Sequence, residues 1–102
     1  MDVYFQLDGI LFVWREDKAA INLMKHGVRF ETAVEIFLDP MLAYEDAIVD
    51  EEARTAAIGR TLQWRILFTV HVEREGGLIR IISARDVTPR ENAAYQNRKG
   101  EL

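Results

Sequence analysis

A predicted β-hairpin in the second half of the chain most constrains the fold. Residues 65–72 alternate in character, and one side of this run is formed by Ile66, Phe68, Val70 and Val72. Gly76-Gly77 follows as a hairpin signal, and residues 78–85 are expected to pair back as the next strand. A sheet built on this hairpin needs cover for its apolar face, and amphipathic helices elsewhere in the chain are expected to supply it.

The first third of the chain predicts one strand followed by two helices. Ile10 to Trp14 is rich in β-formers and is typical of a strand buried on both faces. From Glu16 to His26, three apolar positions share one helical face, and Gly27 is suited to end the helix. These apolar positions are Ala20, Leu23 and Met24, whereas Lys18, Asn22 and Lys25 fall on another face. A second helix is predicted from Phe30 to Leu38, ended by Asp39-Pro40.

The remaining segments complete an α+β pattern. Residues 42–44 and residues 54–62 predict two weaker strands. Thr88-Pro89-Arg90-Glu91 is a capping box with proline at the first helical position, and it predicts a last helix to about Lys99 with Tyr95 as its packing anchor. We therefore predict a single domain over residues 1–102. It would be a small antiparallel meander with two N-terminal helices and one C-terminal helix, all on one face.

Composition limits the classes of function. The chain has no cysteine, which excludes disulfides and thiolate metal sites. Its longest apolar stretch, residues 9–14, is too short to span a bilayer, so a cytoplasmic protein without membrane contact is expected. The formal net charge of −4 argues against a simple nucleic-acid binder. However, five of the 17 acids lie between Glu45 and Glu52, which leaves the rest of the chain nearly neutral.

Two strings of residues resemble the pattern of BrnT toxins. The first extends from Phe12-Val13-Trp14 through Lys25-His26-Gly27-Val28-Arg29-Phe30-Glu31 to Asp39-Pro40. The second is Arg80-Ile81-Ile82-Ser83-Ala84-Arg85, followed by Glu91 and Tyr95. The resemblance implies a RelE-like fold and a ribonuclease that blocks translation without a metal or cofactor. It also implies neutralisation by a ribbon-helix-helix, BrnA-like antitoxin, with DNA contacted only through the toxin–antitoxin complex.

Four positions depart from the pattern of that family. Arg15 stands where an acid is common, Glu52-Ala53 replaces a Gly-Glu pair, and Asp86 stands where a basic residue is usual. Asp86 weakens the local positive field. A non-catalytic interaction protein, acting as co-repressor with a DNA-binding partner, is therefore the alternative to a ribonuclease.

Metal-independent cleavage of RNA needs a base for the 2′-hydroxyl, an acid for the leaving 5′-oxygen and cations for the crowded phosphorane. Arg80 and Arg85 are the first candidates for the cations, because a guanidinium grips phosphate oxygens. Strand alternation puts the two on different faces unless a bulge intervenes or the strand ends first. The structural alternative for either is an ion pair with an acid such as Glu91 or Glu31.

Four further residues complete the predicted site. His26 is the candidate acid or base, although a histidine at a helix end also serves as a cap. Lys25 is a candidate phosphate ligand or a solvated residue, and Arg54 either joins the basic cluster or neutralises Asp50 and Glu51. Tyr95 is a candidate for base stacking or proton donation, with packing as the alternative.

Other conspicuous residues are expected to be structural. His71 is predicted to be a surface or core histidine, and Trp14 and Trp64 are predicted to be core or interface residues. The acidic segment is predicted to be a solvated loop rather than a metal site. A further hypothesis is that its acids dock basic residues of the antitoxin.

Overall fold

The computed structural model describes residues 1–100, with side chains described through residue 98. Six strands form one sheet in the order β1-β2-β6-β5-β4-β3. The strands are β1 (Asp2–Leu7), β2 (Ile10–Arg15), β3 (Ala43–Val49), β4 (Glu52–Arg60), β5 (Ile66–Glu73) and β6 (Ile79–Asp86). The helices are α1 (Glu16–His26), α2 (Phe30–Ala33) and α3 (Pro89–Gly100), with 3-10 turns at Val34–Leu38 and Glu75–Gly77. No helix within residues 1–100 is long and apolar enough to cross a bilayer.

The sheet is mixed, so the prediction of a purely antiparallel meander is wrong. Strand β1, which the sequence analysis missed, forms a hairpin with β2 through Asp8-Gly9, both with positive φ. Strand β2 then pairs in parallel with β6 at only two positions, Phe12 with Ile79 and Val13 with Arg80. The other pairs are antiparallel. Residues 81–86 of β6 therefore have no strand neighbour on the side of β2.

Helix α1 has the predicted bounds but a different buried face. Gly27 ends it with φ 67°, and its N–H donates to the Leu23 carbonyl over 2.9 Å. Met24 is exposed, whereas the polar Asn22 is buried. The predicted second helix is only one α turn, α2, which tightens into the 3-10 turn. The 3-10 turn itself contains the β-branched Val34 and Ile36, which are poorer α-helix formers than unbranched residues.

The helices cover both faces of the sheet, so the prediction of a single covered face is also wrong. Helices α1 and α2 and the 3-10 turn enclose one core, formed with Phe12, Trp14, Leu67 and Ile81. Helix α3 packs on the opposite face, where Tyr95 lies against Ala56, Ile58, Phe68 and Val70. Adjacent residues of β4 and β5 therefore contribute to different cores, as strand alternation requires.

The start of α3 is the predicted capping box. The Thr88 backbone N–H donates to Glu91 Oε1 over 2.8 Å, and the Glu91 N–H donates to Thr88 Oγ1 over 3.2 Å. Tyr95 is buried, as predicted for a packing anchor, and its hydroxyl donates to the Asp39 carboxylate. Asp39 also accepts the backbone N–H groups of Met41 and Arg60, each over 2.8 Å. These bonds connect α3 to the end of the 3-10 turn across the sheet edge.

Candidate functional site

A bulge in β6 places Arg80 and Arg85 on the same face of the sheet. Val70 pairs with Ser83 and the next residue, His71, pairs with Ile81, so β6 has one more residue than β5 here. As a result, Ile81 and Ala84 both enter the core under α1. The two arginines face the other side, the face of α3. The bulge is thus the exception to strand alternation that allows Arg80 and Arg85 to share a face.

The two arginines nevertheless lie at opposite ends of β6. At the first end, Arg80 donates to the Asp2 carboxylate over 2.9 and 3.4 Å. Arg54 lies on the same face of β4, donates to the Ala53 carbonyl over 3.2 Å, and forms an ion pair with Glu52. Arg54 thus pairs with neither Asp50 nor Glu51. Arg80 and Arg54 form one group, and Arg85 belongs to another.

At the other end of β6, Arg85 is held between α3 and the sheet. Its guanidinium donates to both Glu91 oxygens, over 2.8 and 3.0 Å, and to the Asp86 carbonyl over 3.0 Å. Its Cζ also lies 4.2 Å from the centroid of the Phe68 ring. The hydrogen bonds from Arg85 lower the pKa of Glu91 to about 2. Glu91 is the acid that the sequence analysis named as the structural partner of an arginine.

Arg65, which the sequence analysis did not propose, joins the end of β6 to the end of α1. Its Nε and Nη2 donate to the two Asp86 carboxylate oxygens over 2.6 and 2.8 Å, and its Nη1 donates to the Gly27 carbonyl over 3.3 Å. These bonds to Arg65 lower the pKa of Asp86 and raise that of Arg65. The one sequence signal that could have identified Arg65 is its position as a cation at the start of the clearest predicted strand, residues 65–72.

The same junction brings His26 and Lys25 to the end of β6. Both are exposed in the last turn of α1, immediately before Gly27. The buried Asn22 fixes this helix to β6. Its amide nitrogen donates to the carbonyls of Val28 (3.0 Å) and Ala84 (2.9 Å), and its oxygen accepts the Ala84 N–H over 3.0 Å. We call Lys25, His26, Arg65, Arg85 and Asp86 the β6-end cluster, because all five lie at this end of the sheet. Arg85 is on the face of α3, whereas Asp86 is on the face of α1.

A family model described as "Ribonuclease toxin, BrnT, of type II toxin-antitoxin system" matches residues 14–91. The chain belongs to the BrnT family. It is thus a ribonuclease toxin of a type II toxin–antitoxin system, which implies an antitoxin as its partner. The matched range includes the whole β6-end cluster.

The fold is similar to that of a solved BrnT. The 1.1 Å crystal structure of the ribonuclease toxin BrnT from Brucella abortus matches with a TM-score of 0.56 and 25% sequence identity. The match covers 74% of this chain and 92% of the Brucella chain. No curated protein matches this sequence. The α+β architecture with a mixed sheet is therefore shared with a known BrnT toxin.

Other predicted residues of this BrnT chain have mixed outcomes. His71 is buried as a core histidine against Phe37, with ring centroids 5.3 Å apart, and burial lowers its pKa. Trp14 is also in the core, as predicted. Trp64, in contrast, is 73% exposed, so a core position is wrong for it. Tyr95 is enclosed under α3, and burial together with its bond to Asp39 raises its pKa to about 12.

The acidic segment is a hairpin rather than a loop. Glu45 and Asp46 are exposed on β3, Asp50 and Glu51 form the turn with φ values of 52° and 64°, and Glu52 begins β4. Within the described part of the chain, no three His, Cys, Asp or Glu side chains are grouped as metal ligands. The acids instead lie along the hairpin of the free edge strand β3.

Proposed function

We propose that this BrnT toxin cleaves single-stranded RNA without a metal, at the β6-end cluster. The observation that supports the proposal most is the contact of Arg65 with both Gly27 and Asp86. This contact places a guanidinium beside the helix end that presents His26. Arg85 directly precedes Asp86 in β6 and adds a second guanidinium at the same end of the strand, from the face of α3.

The proposed reaction is an intramolecular transfer at phosphorus. The ribose 2′-oxygen loses its proton to a base and attacks the adjacent phosphorus, and the bond from phosphorus to the 5′-oxygen breaks. The products are a 2′,3′-cyclic phosphate and a 5′-hydroxyl, which receives a proton from an acid. His26 is assigned to proton transfer because an imidazole can do this near neutral pH. Arg65 and Arg85, with Lys25, are assigned to the charge on the phosphorane.

Three sequence-predicted residues lie outside this proposed centre. Arg80 and Arg54 are at the far end of the sheet face, each beside a carboxylate. Tyr95 is buried. A catalytic role for any of them remains a prediction from the family resemblance, and the geometry of the β6-end cluster does not require it.

The test is cleavage of single-stranded RNA by the purified chain in excess chelator. We expect His26→Gln and Arg65→Gln to lower the rate by about 10²-fold or more, the usual scale for a lost proton-transfer group or charge-stabilising group. Asp86→Asn should raise the rate several-fold, because it frees Arg65. Asp17→Asn is the matched control, since Asp17 forms a similar exposed ion pair with Arg15 at the other end of α1.

Arg85 needs a paired substitution in this test. Arg85→Ala alone leaves Glu91, which is 5% exposed, without its counter-ion, and the fold itself would suffer. Arg85→Gln combined with Glu91→Gln removes both charges together. Loss of cleavage in this double variant, with an unchanged circular dichroism spectrum, would support a role for Arg85 in the reaction.

The second candidate function is a non-catalytic co-repressor, which acts through a DNA-binding partner. It is favoured by one observation: all four arginines considered above are paired with carboxylates. We further propose that the partner in either case is a ribbon-helix-helix antitoxin in the cytoplasm. A folded chain that binds the product of an adjacent ribbon-helix-helix reading frame, yet cleaves no RNA, would establish the co-repressor.

A further inference from the structure

The turn between β4 and β5 holds an exposed tryptophan in an unusual backbone conformation. Trp64 has φ 71°, a region that bulky L-residues rarely adopt. The Trp64 backbone N–H donates to the Thr61 carbonyl over 3.0 Å. The Thr61 backbone N–H donates to the Arg65 carbonyl over 2.8 Å, and the Arg65 backbone N–H donates to Thr61 Oγ1 over 3.1 Å. The turn is thus closed by hydrogen bonds, yet the indole is 73% exposed. The fold does not use this ring for its core.

The indole is held by a cation and lines a groove. The guanidinium carbon of Arg60 lies 4.2 Å from the centroid of the Trp64 ring, so it orients the ring without enclosing it. The groove beside the ring has a volume of about 160 Å³ and is also lined by Leu38, Pro40 and Glu35. Glu35 Oε1 accepts the Leu62 N–H over 3.1 Å. Its Oε2 has no hydrogen-bond partner among residues 1–98.

This combination has the chemistry of a site for a nucleobase. A base presents a flat π-face that stacks on an indole, and its edge carries N–H donors that a carboxylate oxygen can accept. An apolar protein side chain would leave the Glu35 oxygen and the Arg60 guanidinium unpaired in the contact. The polar walls therefore favour a base over an apolar anchor of a protein partner.

The groove is adjacent to the β6-end cluster. Trp64 directly precedes Arg65, whose guanidinium contacts Gly27 and Asp86. We propose that Trp64 and Arg60 form a stacking platform for an unpaired base of single-stranded RNA beside the cleaved phosphate. In this platform, Glu35 accepts a hydrogen bond from an exocyclic amino group of that base. This inference rests on the proposed ribonuclease function and adds a substrate-specificity site to it.

The test uses indole fluorescence with an uncleavable strand. A 2′-O-methyl oligoadenylate should quench the exposed Trp64, whereas the buried Trp14 should be unaffected. Trp64→Gly should raise the Kd of this strand about tenfold, the scale of one lost base–aromatic stack. The same variant should keep or raise the Tm, because glycine accepts the positive φ. Ile48→Ala, at an 80% exposed position on β3, is the control and should change neither quantity.

The preference for one base over another provides a second test of the same platform. Oligoadenylate should bind more tightly than oligouridylate, since uracil has no exocyclic amino group. Glu35→Gln should reduce this difference, and Trp64→Phe should retain part of the affinity. Equal affinity of the wild-type chain for both strands would overturn the assignment of Glu35.

The outcomes separate this inference from the proposed function. A chain that cleaves no RNA but binds the oligonucleotide through Trp64 would sustain the platform and refute the nuclease. RNA cleavage with a KM unchanged in Trp64→Gly, or an oligonucleotide that leaves the indole fluorescence unchanged, would overturn the platform alone. Quenching by the antitoxin and not by the oligonucleotide would also overturn it, and would assign Trp64 to the protein interface.

Discussion

Replacement of Asn22 by alanine should cost this fold about 3 kcal/mol, at roughly 1 kcal/mol for each of three lost hydrogen bonds to buried backbone groups. After Arg80, where its short pairing with β2 ends, strand β6 has no strand neighbour on the side of β2. The Asn22 amide fills this position, because it donates to the Ala84 carbonyl and accepts the Ala84 N–H as a peptide group of a strand would. Its second donor hydrogen holds Val28 and so fixes the chain after α1.

Urea unfolding followed by circular dichroism measures this cost. The midpoint should fall in Asn22→Ala with an unchanged m-value, because the surface exposed on unfolding is nearly the same. Met24→Ala is the control in the same helix, at a 90% exposed position, and should change the free energy of unfolding by no more than about 0.5 kcal/mol. A loss below about 1 kcal/mol in Asn22→Ala would refute the view that its amide substitutes for a strand.

Asn22→Asp gives a pH-dependent check on the same reasoning. A carboxylate there would face two carbonyl oxygens, so its pKa in the folded state should rise above the unfolded value. A raised pKa means that the stability is present at low pH and is lost as the pH increases. Relative to the wild type, this variant should therefore be most unstable at neutral pH and should recover on acidification. A constant difference across the pH range would contradict the proposed geometry.

Two further substitutions test other parts of the fold. The pKa of Glu91 is lowered from 4.5 to about 2, so its pair with Arg85 stabilises the protein above pH 4.5 and this contribution is lost as the pH falls through 2. Glu91→Gln should therefore reduce the free energy of unfolding by about 3 kcal/mol at pH 7. It should also remove the loss of stability between pH 4.5 and pH 2, and a variant that still loses stability there as the wild type does would contradict this. Gly59→Ala should lower stability by about 1 to 3 kcal/mol, because the added Cβ would lie 2.9 Å from Ile36 Cβ. A thermal melt of that variant identical to the wild type would show that the 3-10 turn can shift away.

The elements that the sequence predicted well are those with local signals. The hairpin of β5 and β6, the end of α1 at Gly27 and the capping box at Thr88 each depend on residues close in the chain. Strand β1 was missed, although Asp8-Gly9 is a hairpin signal of the same kind. The parallel pairing of β2 with β6 joins segments more than 60 residues apart, and no local pattern specifies it.

The buried face of α1 shows why apolar periodicity alone was insufficient. Ala20 and Met24 are exposed and Asn22 is buried, because the partners of Asn22 are backbone groups of Val28 and Ala84. Every residue has a backbone carbonyl, so the sequence does not reveal which of these groups a buried side chain will bind. The role of Arg65 was hidden for the same reason, since one of its contacts is the Gly27 carbonyl, 38 positions earlier.

The ion pairs at the β6-end cluster differ in how readily a phosphate can replace them. The Arg65 and Asp86 side chains are 39% and 58% exposed, and an exposed pair of this kind contributes little free energy. A phosphate can therefore take the place of Asp86 on Arg65 at small cost. Glu91, in contrast, is only 5% exposed and also caps α3, so Arg85 must stay beside it and can act only as a fixed charge. Arg65 is then the arginine that would move to the substrate, and Asp86 would compete directly with the RNA for it.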